Sequence, residues 1–296
     1  MSKYRIITFD GGGVRGIICS ILFKRLYEHF PNLINITDLF SGTSSGALMT
    51  LGLSYGLTPE KIVNLYTKKA AKFIFTPKYP YLCRPKHDNK HLIQLLNYIF
   101  PKSLRLKDLE HHVLIPSFKI IASNSGNYEP VFYNNFPNSN TKYEKVIDVA
   151  LYSSSAPIYF PSYKNHIDGG VIANNPSIAA ISIAKNQDFG NKNLDEIYLL
   201  SIGTGFYPLK INVDTSNWGT LQWINCPHLI GLLFDCQTQA NIYYSSNLLG
   251  NQYFRINPKL PYPIILDDYK EVPYLRCLAE NYSLESTIEW LQQNWF

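Results

Sequence analysis

Two glycine-punctuated turns, Gly11–Gly16 and Gly42–Gly46, each stand between a short apolar run and a helix-forming run. That arrangement constrains the chain strongly. Strands that hand over to helices through glycine loops build a parallel sheet, because parallel neighbours need long crossovers. Tyr4 to Phe9 reads as a first strand, and residues 17 to 30 show apolar positions at helical spacing before Pro31. Residues 36 to 41 read as a second strand and residues 47 to 53 as the helix behind it.

Further along, Thr58 and Pro59 suit the start of a helix running to about Lys72. A helix is expected at 89–100, strands at 118–123 and 131–133, and a helix at 144–152. Ile197 to Ile202 reads as a central strand, followed by a long helical stretch over 227–249 and an amphipathic helix over 284–296. The fold class is therefore α/β, a central mostly parallel sheet flanked by helices on both faces. A single domain over residues 1–296 is the simpler reading, since no repeat or linker interrupts the chain.

The second turn, Gly42-Thr43-Ser44-Ser45-Gly46, has the pattern G-x-S-x-G. A serine on such a strand-to-helix turn presents its hydroxyl outward, and the helix start behind it favours developing negative charge. The same five residues also suit a plain glycine turn. The first turn, Asp10-Gly11-Gly12-Gly13-Val14-Arg15-Gly16, lets backbone N–H groups converge on one point. Two readings compete there. One is an oxyanion hole. The other is a dinucleotide fingerprint, because Gly11, Gly13 and Gly16 fit G-x-G-x-x-G, but that motif wants an acid at the end of the next strand. Here the next strand runs into the serine turn.

A third loop, Asp168-Gly169-Gly170, supplies a carboxylate. Of seven histidines only His228 follows it, at the start of an expected helix. With no histidine in triad order, the pattern favours a Ser–Asp pair in which the carboxylate takes the proton directly. Such a base needs partial burial to raise its basicity.

The ordered set of these three loops resembles the patatin-like phospholipases. Residues 153–161 (Ser-Ser-Ser-Ala-Pro-Ile-Tyr-Phe-Pro), Asn174-Asn175-Pro176 and residues 200–205 (Leu-Ser-Ile-Gly-Thr-Gly) add to the likeness, which spans about residues 4 to 205. The helical part from about 206 to 296 resembles the family only loosely. The resemblance implies cofactor-free hydrolysis of acyl esters in lipids, with Ser44 as nucleophile and Asp168 as base. It implies an oxyanion hole from Gly11, Gly12 and Gly13 with Arg15 close by, and Gly16, Gly42, Gly46, Gly169 and Gly170 as motif glycines. Arg15 has two readings: holding a lipid phosphate or oxyanion, or pinning the glycine loop through carbonyls. The rival classes are a nucleotide-binding protein and a catalytically silent effector with the same fold. Some relatives answer to an activating partner or ligand, which nothing in this chain reveals.

Composition narrows the remaining classes. No apolar run spans a bilayer and no leader pattern opens the chain, so a cytoplasmic location is expected. The five cysteines form no CxxC pair, so neither a zinc site nor a disulfide framework is suggested. The net charge of +5 is mild and carries no dense basic run, which speaks against nucleic acid. Residues 72–86 interleave Phe73, Phe75, Tyr79 and Tyr81 with Lys and Arg, a pattern suited either to peripheral contact with a lipid surface or to packing on the core.

Overall fold

The computed structural model describes residues 3–76, 83–121, 126–208, 211, 213–225 and 229–296. His228, Cys226 and the middle of the aromatic and basic segment at 77–82 lie outside them.

The chain opens with β1 (Tyr4–Phe9), α1 (Gly16–His29), β2 (Leu39–Gly42) and α2 (Ser45–Ser54). Three short helices follow: α3 (Pro59–Leu65), α4 (Lys68–Ile74) and α5 (Lys90–Ile99). The expected helix from Thr58 to Lys72 is two helices. Thr58 caps the first through Lys61 N–H, and Thr67 caps the second through Ala70 N–H, so a second start signal breaks the run.

The far side of the sheet is built from β3 (His112–Lys119), β4 (Glu129–Asn134), α6 (Val146–Ser154) and β5 (His166–Asp168). The strand expected at 118–123 begins six residues earlier, and residues 122–125 lie outside the described ones. Pro116 hides it, because proline in a central strand normally argues against one. It is tolerated at the point where the ladder on one edge of β3 changes partner. β2 pairs with His112 to Leu114, and β5 pairs with Ser117 to Lys119.

After α7 (Gly170–Ala173) and α8 (Ser177–Lys185) the chain returns to the centre as β6 (Ile197–Ile202). It closes with α9 (Thr220–Asn225), α10 (Leu229–Leu249), β7 (Tyr253–Ile256), α11 (Val272–Asn281) and α12 (Glu285–Asn294). α8, β7 and α11 were not legible in the sequence. Among the described residues, no helix is long and apolar enough to cross a membrane.

The strand order is β4-β3-β2-β1-β6-β7, with β5 paired to β3. β1, β2, β3, β6 and β7 run parallel; β4 and β5 run antiparallel to β3. Side chains alternate between two cores, as a sheet covered on both faces requires. Ile7, Phe9, Phe40, Val113 and Leu200 enter the larger one with α1, α2, α6 and α11. Ile6, Leu39, Leu114 and Leu199 enter the smaller one with α8.

β4 spans Leu114 to Lys119 on one edge of β3, so β2 and β5 share the other edge. They run in opposite directions and meet carboxyl end to carboxyl end. The segments after Gly42 and at Asp168 are thereby brought to one place above the sheet, at the strand ends where α/β folds form their crevices.

The glycine loop is anchored from the last strand. Arg255 of β7 reaches beneath β6 and grips Asp10 with both guanidinium nitrogens, at 3.3 and 2.6 Å, while also donating to Ser201 Oγ at 2.7 Å. Both charges are largely removed from water. Losing one partner leaves the other buried and uncompensated. We predict that Arg255→Met costs about 3–5 kcal/mol in urea unfolding, and that adding Asp10→Asn recovers part of the loss.

Candidate active site

Ser44 stands between β2 and α2 at φ +53°, ψ −117°, a conformation that a residue with a side chain adopts only under strain. The strain holds because both flanks are locked. The Ser44 N–H donates to Ser153 Oγ at 3.0 Å, and the Thr43 hydroxyl donates to the Ala173 carbonyl at 2.6 Å. Gly46, in the first turn of α2, lies against the end of β1. A Cβ there would be 2.3 Å from the Phe9 carbonyl oxygen. Only glycine lets the serine turn approach the first loop this closely. Gly42 closes β2 and packs on Gly46 in turn.

Asp168 is the last residue of β5, buried opposite Ser117. Its N–H donates to the Ser155 carbonyl, and the following N–H of Gly169 donates to the Ser153 carbonyl. The triple serine at the end of α6 therefore holds both the nucleophile candidate and the base candidate. The Asp168 carboxyl accepts from the Gly170 N–H at 2.6 Å, and the Ser44 hydroxyl lies beside it in the same cavity. Burial pushes its pKa up to about 6, although both neighbours favour the charged form.

The glycine loop lies beside them. Gly12 is extended and Gly13 is left-handed at φ +58°. A Cβ on Gly13 would be 2.1 Å from the Leu266 carbonyl oxygen, so both torsion and space require glycine there. One expectation needs correcting. The Gly11 N–H donates to the Asn174 carbonyl at 3.0 Å and is not free to hold an oxyanion. Val14 N–H is likewise committed to Leu266. Among the described hydrogen bonds, the amides of Gly12 and Gly13 have no protein acceptor, and both residues line the cavity that holds Ser44. Gly16 opens α1, and Gly170 opens α7 directly after Gly169.

Arg15 also lines that cavity. Its Nε has no hydrogen-bond partner among the described residues, so the pinning reading lacks a contact to stand on. Burial pulls its guanidinium below the ordinary arginine value, against the opposing charges of Asp235 and Asp10.

Asn174 and Thr204, which the sequence offered only as part of the likeness, hold the glycine loop. Asn174 takes the Gly11 amide on its carbonyl and donates to Thr238 Oγ1, linking the glycine loop to α10. Thr204 Oγ1 donates to the Gly11 carbonyl at 2.9 Å. Among the described residues no histidine lines the cavity. His166, two residues from Asp168, is engaged with the Tyr133 hydroxyl and the Lys164 carbonyl.

The cavity measures about 840 Å³. Beyond the polar cluster its walls are apolar, with Leu48, Ile74, Phe75, Leu92 and Phe160 among them. Ile158 and Ile265 line it while remaining 48% and 54% exposed, so its mouth presents apolar surface to solvent. Ile158 does so at φ +74°, unusual for a β-branched residue.

Comparison with known proteins places the chain in a family. The patatin-like phospholipase family model matches residues 7–181. Protein teg of Priestia megaterium is 33% identical over 100% of this chain and 100% of that protein. Patatin-like protein 4 of Arabidopsis thaliana is 29% identical over 85% of this chain and 75% of its own length. The cGAMP-activated phospholipase of Vibrio cholerae is 29% identical over 69% of this chain and 64% of its own length. The chain belongs to the patatin-like phospholipase family, and that membership supports lipid hydrolase activity.

The packing of Gly46 generates a direct test. We predict that Gly46→Ala, by forcing the serine turn away from the end of β1, lowers unfolding free energy in urea by about 1–3 kcal/mol.

Proposed function

We propose that this chain is a serine esterase cleaving fatty-acyl esters of lipids, with Ser44 as nucleophile and Asp168 as general base. The placing of the Ser44 hydroxyl and the buried Asp168 carboxyl together on the wall of one large, mostly apolar cavity carries this reading. In the first step Ser44 Oγ bonds to the ester carbonyl carbon as its proton passes to Asp168. The carbonyl oxygen takes the negative charge and is held by the Gly12 and Gly13 amides. The tetrahedral adduct collapses, the alcohol leaves with the proton from Asp168, and an acyl-Ser44 ester remains. Water then attacks this ester, giving a proton to Asp168, which passes it to Ser44 Oγ as the acyl–oxygen bond breaks and the free fatty acid leaves.

The physical features fit each role. A carboxyl at about 6 is a better base than an ordinary one, yet is still ionised at neutral pH. The apolar walls suit an acyl chain. Arg15, unpartnered at Nε within the cavity, suits the negative charge of a phosphodiester or a developing oxyanion. The exposed Ile158 and Ile265 at the mouth support peripheral contact with a lipid surface. The whole chain acts as one unit in this reading, because Arg255 and Leu266 from its last third hold the glycine loop.

Ser44→Ala and Asp168→Asn are each expected to cut turnover of a soluble ester by at least about 10³-fold while keeping the thermal midpoint near that of the wild type. A fluorophosphonate should label Ser44. Wild-type turnover in either purified variant would remove the assignment.

The rate should also follow Asp168. Protonated Asp168 cannot accept the serine proton, so kcat/KM should be level at neutral pH and fall about tenfold per pH unit below about 6. A rate unchanged down to pH 4.5 would exclude Asp168 as base.

A further inference from the structure

Asp267, Lys86 and His87 form a buried cluster that the hydrolysis above does not use. Asp267 Oδ2 lies 2.5 Å from Lys86 Nζ and 2.9 Å from His87 Nε2. Asp267 and His87 are 5% and 1% exposed. The His87 ring packs against Phe75 and Phe160, both cavity walls, at centroid distances of 5.5 and 5.6 Å. Lys86 and His87 donate their backbone N–H groups to the carbonyls of Ile158 and Tyr159. The pair is therefore fixed to one wall of the cavity before it reaches Asp267. Burial alone would raise the Asp267 carboxyl, but the hydrogen bonds and charges of His87 and Lys86 hold it below the ordinary carboxylate range.

What Asp267 fixes is its neighbour. The Leu266 carbonyl accepts from the Val14 N–H at 2.8 Å and lies where a Cβ on Gly13 would be. The left-handed turn at Gly13 and the direction of its amide are set against this one oxygen. A continuous path thus runs from Lys86 and His87 through Asp267 and Leu266 to the glycine loop. An apolar contact could fill the same volume. It could not fix the azimuth of a carbonyl, since hydrophobic packing is non-directional and hydrogen bonds are not.

We propose that Asp267, clamped by Lys86 and His87, is a positioning residue for the Gly12 and Gly13 amides, acting through the Leu266 carbonyl. The proposal rests on the reading of that loop as the oxyanion hole. It separates from a plain wall-forming role by what it does to kinetics. Misaligned amides weaken the transition state and leave substrate binding alone, so kcat falls and KM does not. A disturbed wall instead raises KM, and more so for longer acyl chains.

The test compares wild type, Asp267→Asn and Lys86→Met on p-nitrophenyl butyrate and p-nitrophenyl laurate, with hydrogen exchange read at the peptide containing Gly13 and Val14. The expected result is a fall in kcat of about 10- to 100-fold on both esters with KM within about two-fold, together with faster exchange at Val14. Lys86→Arg should restore most of the rate. Lys86→Met keeps the test open if Asp267→Asn fails to fold. Unchanged exchange, or a loss confined to KM on the longer ester, would overturn the proposal. Wild-type turnover that ignores Ser44→Ala would sink the hydrolase reading and the catalytic role of Asp267 with it, while the exchange data still report separately whether the tether exists.

Discussion

Two strands cannot occupy the same stretch of one edge of a third. On β3 the ladder passes from β2, paired up to Leu114, to β5, paired from Ser117, and the two strands arrive from opposite directions. Everything distinctive about the site depends on that collision. β2 must stop at Gly42 and turn at once into α2, which forces Ser44 into its strained conformation. β5 must stop at Asp168, whose carboxyl then faces the same gap. A serine and a carboxylate far apart in sequence come to line the same cavity because the two strand ends meet there.

Electrostatics follows from the same geometry. A carboxylate at the end of a strand inside the fold loses water, and among the described hydrogen bonds the Gly170 N–H alone reaches it. That shortfall raises its pKa, at the expense of stability when it is ionised. The linkage has a definite sign. A raised carboxyl favours the folded state most at acid pH, below the ordinary carboxylate value, and that contribution is lost as pH rises through about 6. Asp10, the other acid of the glycine motifs, is also pushed up by burial, but Arg255 opposes the shift with a two-pronged contact that anchors the loop.

The first half of the chain was largely legible in its sequence. Alternating apolar runs, glycine turns and caps marked β1, α1, α2 and α5 there, and β6 further on, within a residue or two. The failures have local causes. Pro116 disguised β3, and Thr67 inserted a second cap into what read as one helix. β7 was missed because four residues carry too little periodicity to stand out. Its Arg255 looks like any surface arginine until the sheet places it beneath Asp10. The glycine motif pointed to amide donors, yet it could not say which amides remain free. Asn174, distant in sequence, takes the one from Gly11.

The sequence by itself determined the kind of sheet, the family, and the three glycine loops. These are encoded locally, by glycines where backbones must touch or turn and by apolar periodicity. Only the tertiary structure decided that Ser44 and Asp168 line one cavity, that the Gly12 and Gly13 amides have no acceptor among the described hydrogen bonds, and that no described histidine enters the cavity. Those facts arise where strand ends and distant segments converge. A contact between residues separated by much of the chain leaves no period or spacing in the sequence for a reader to find.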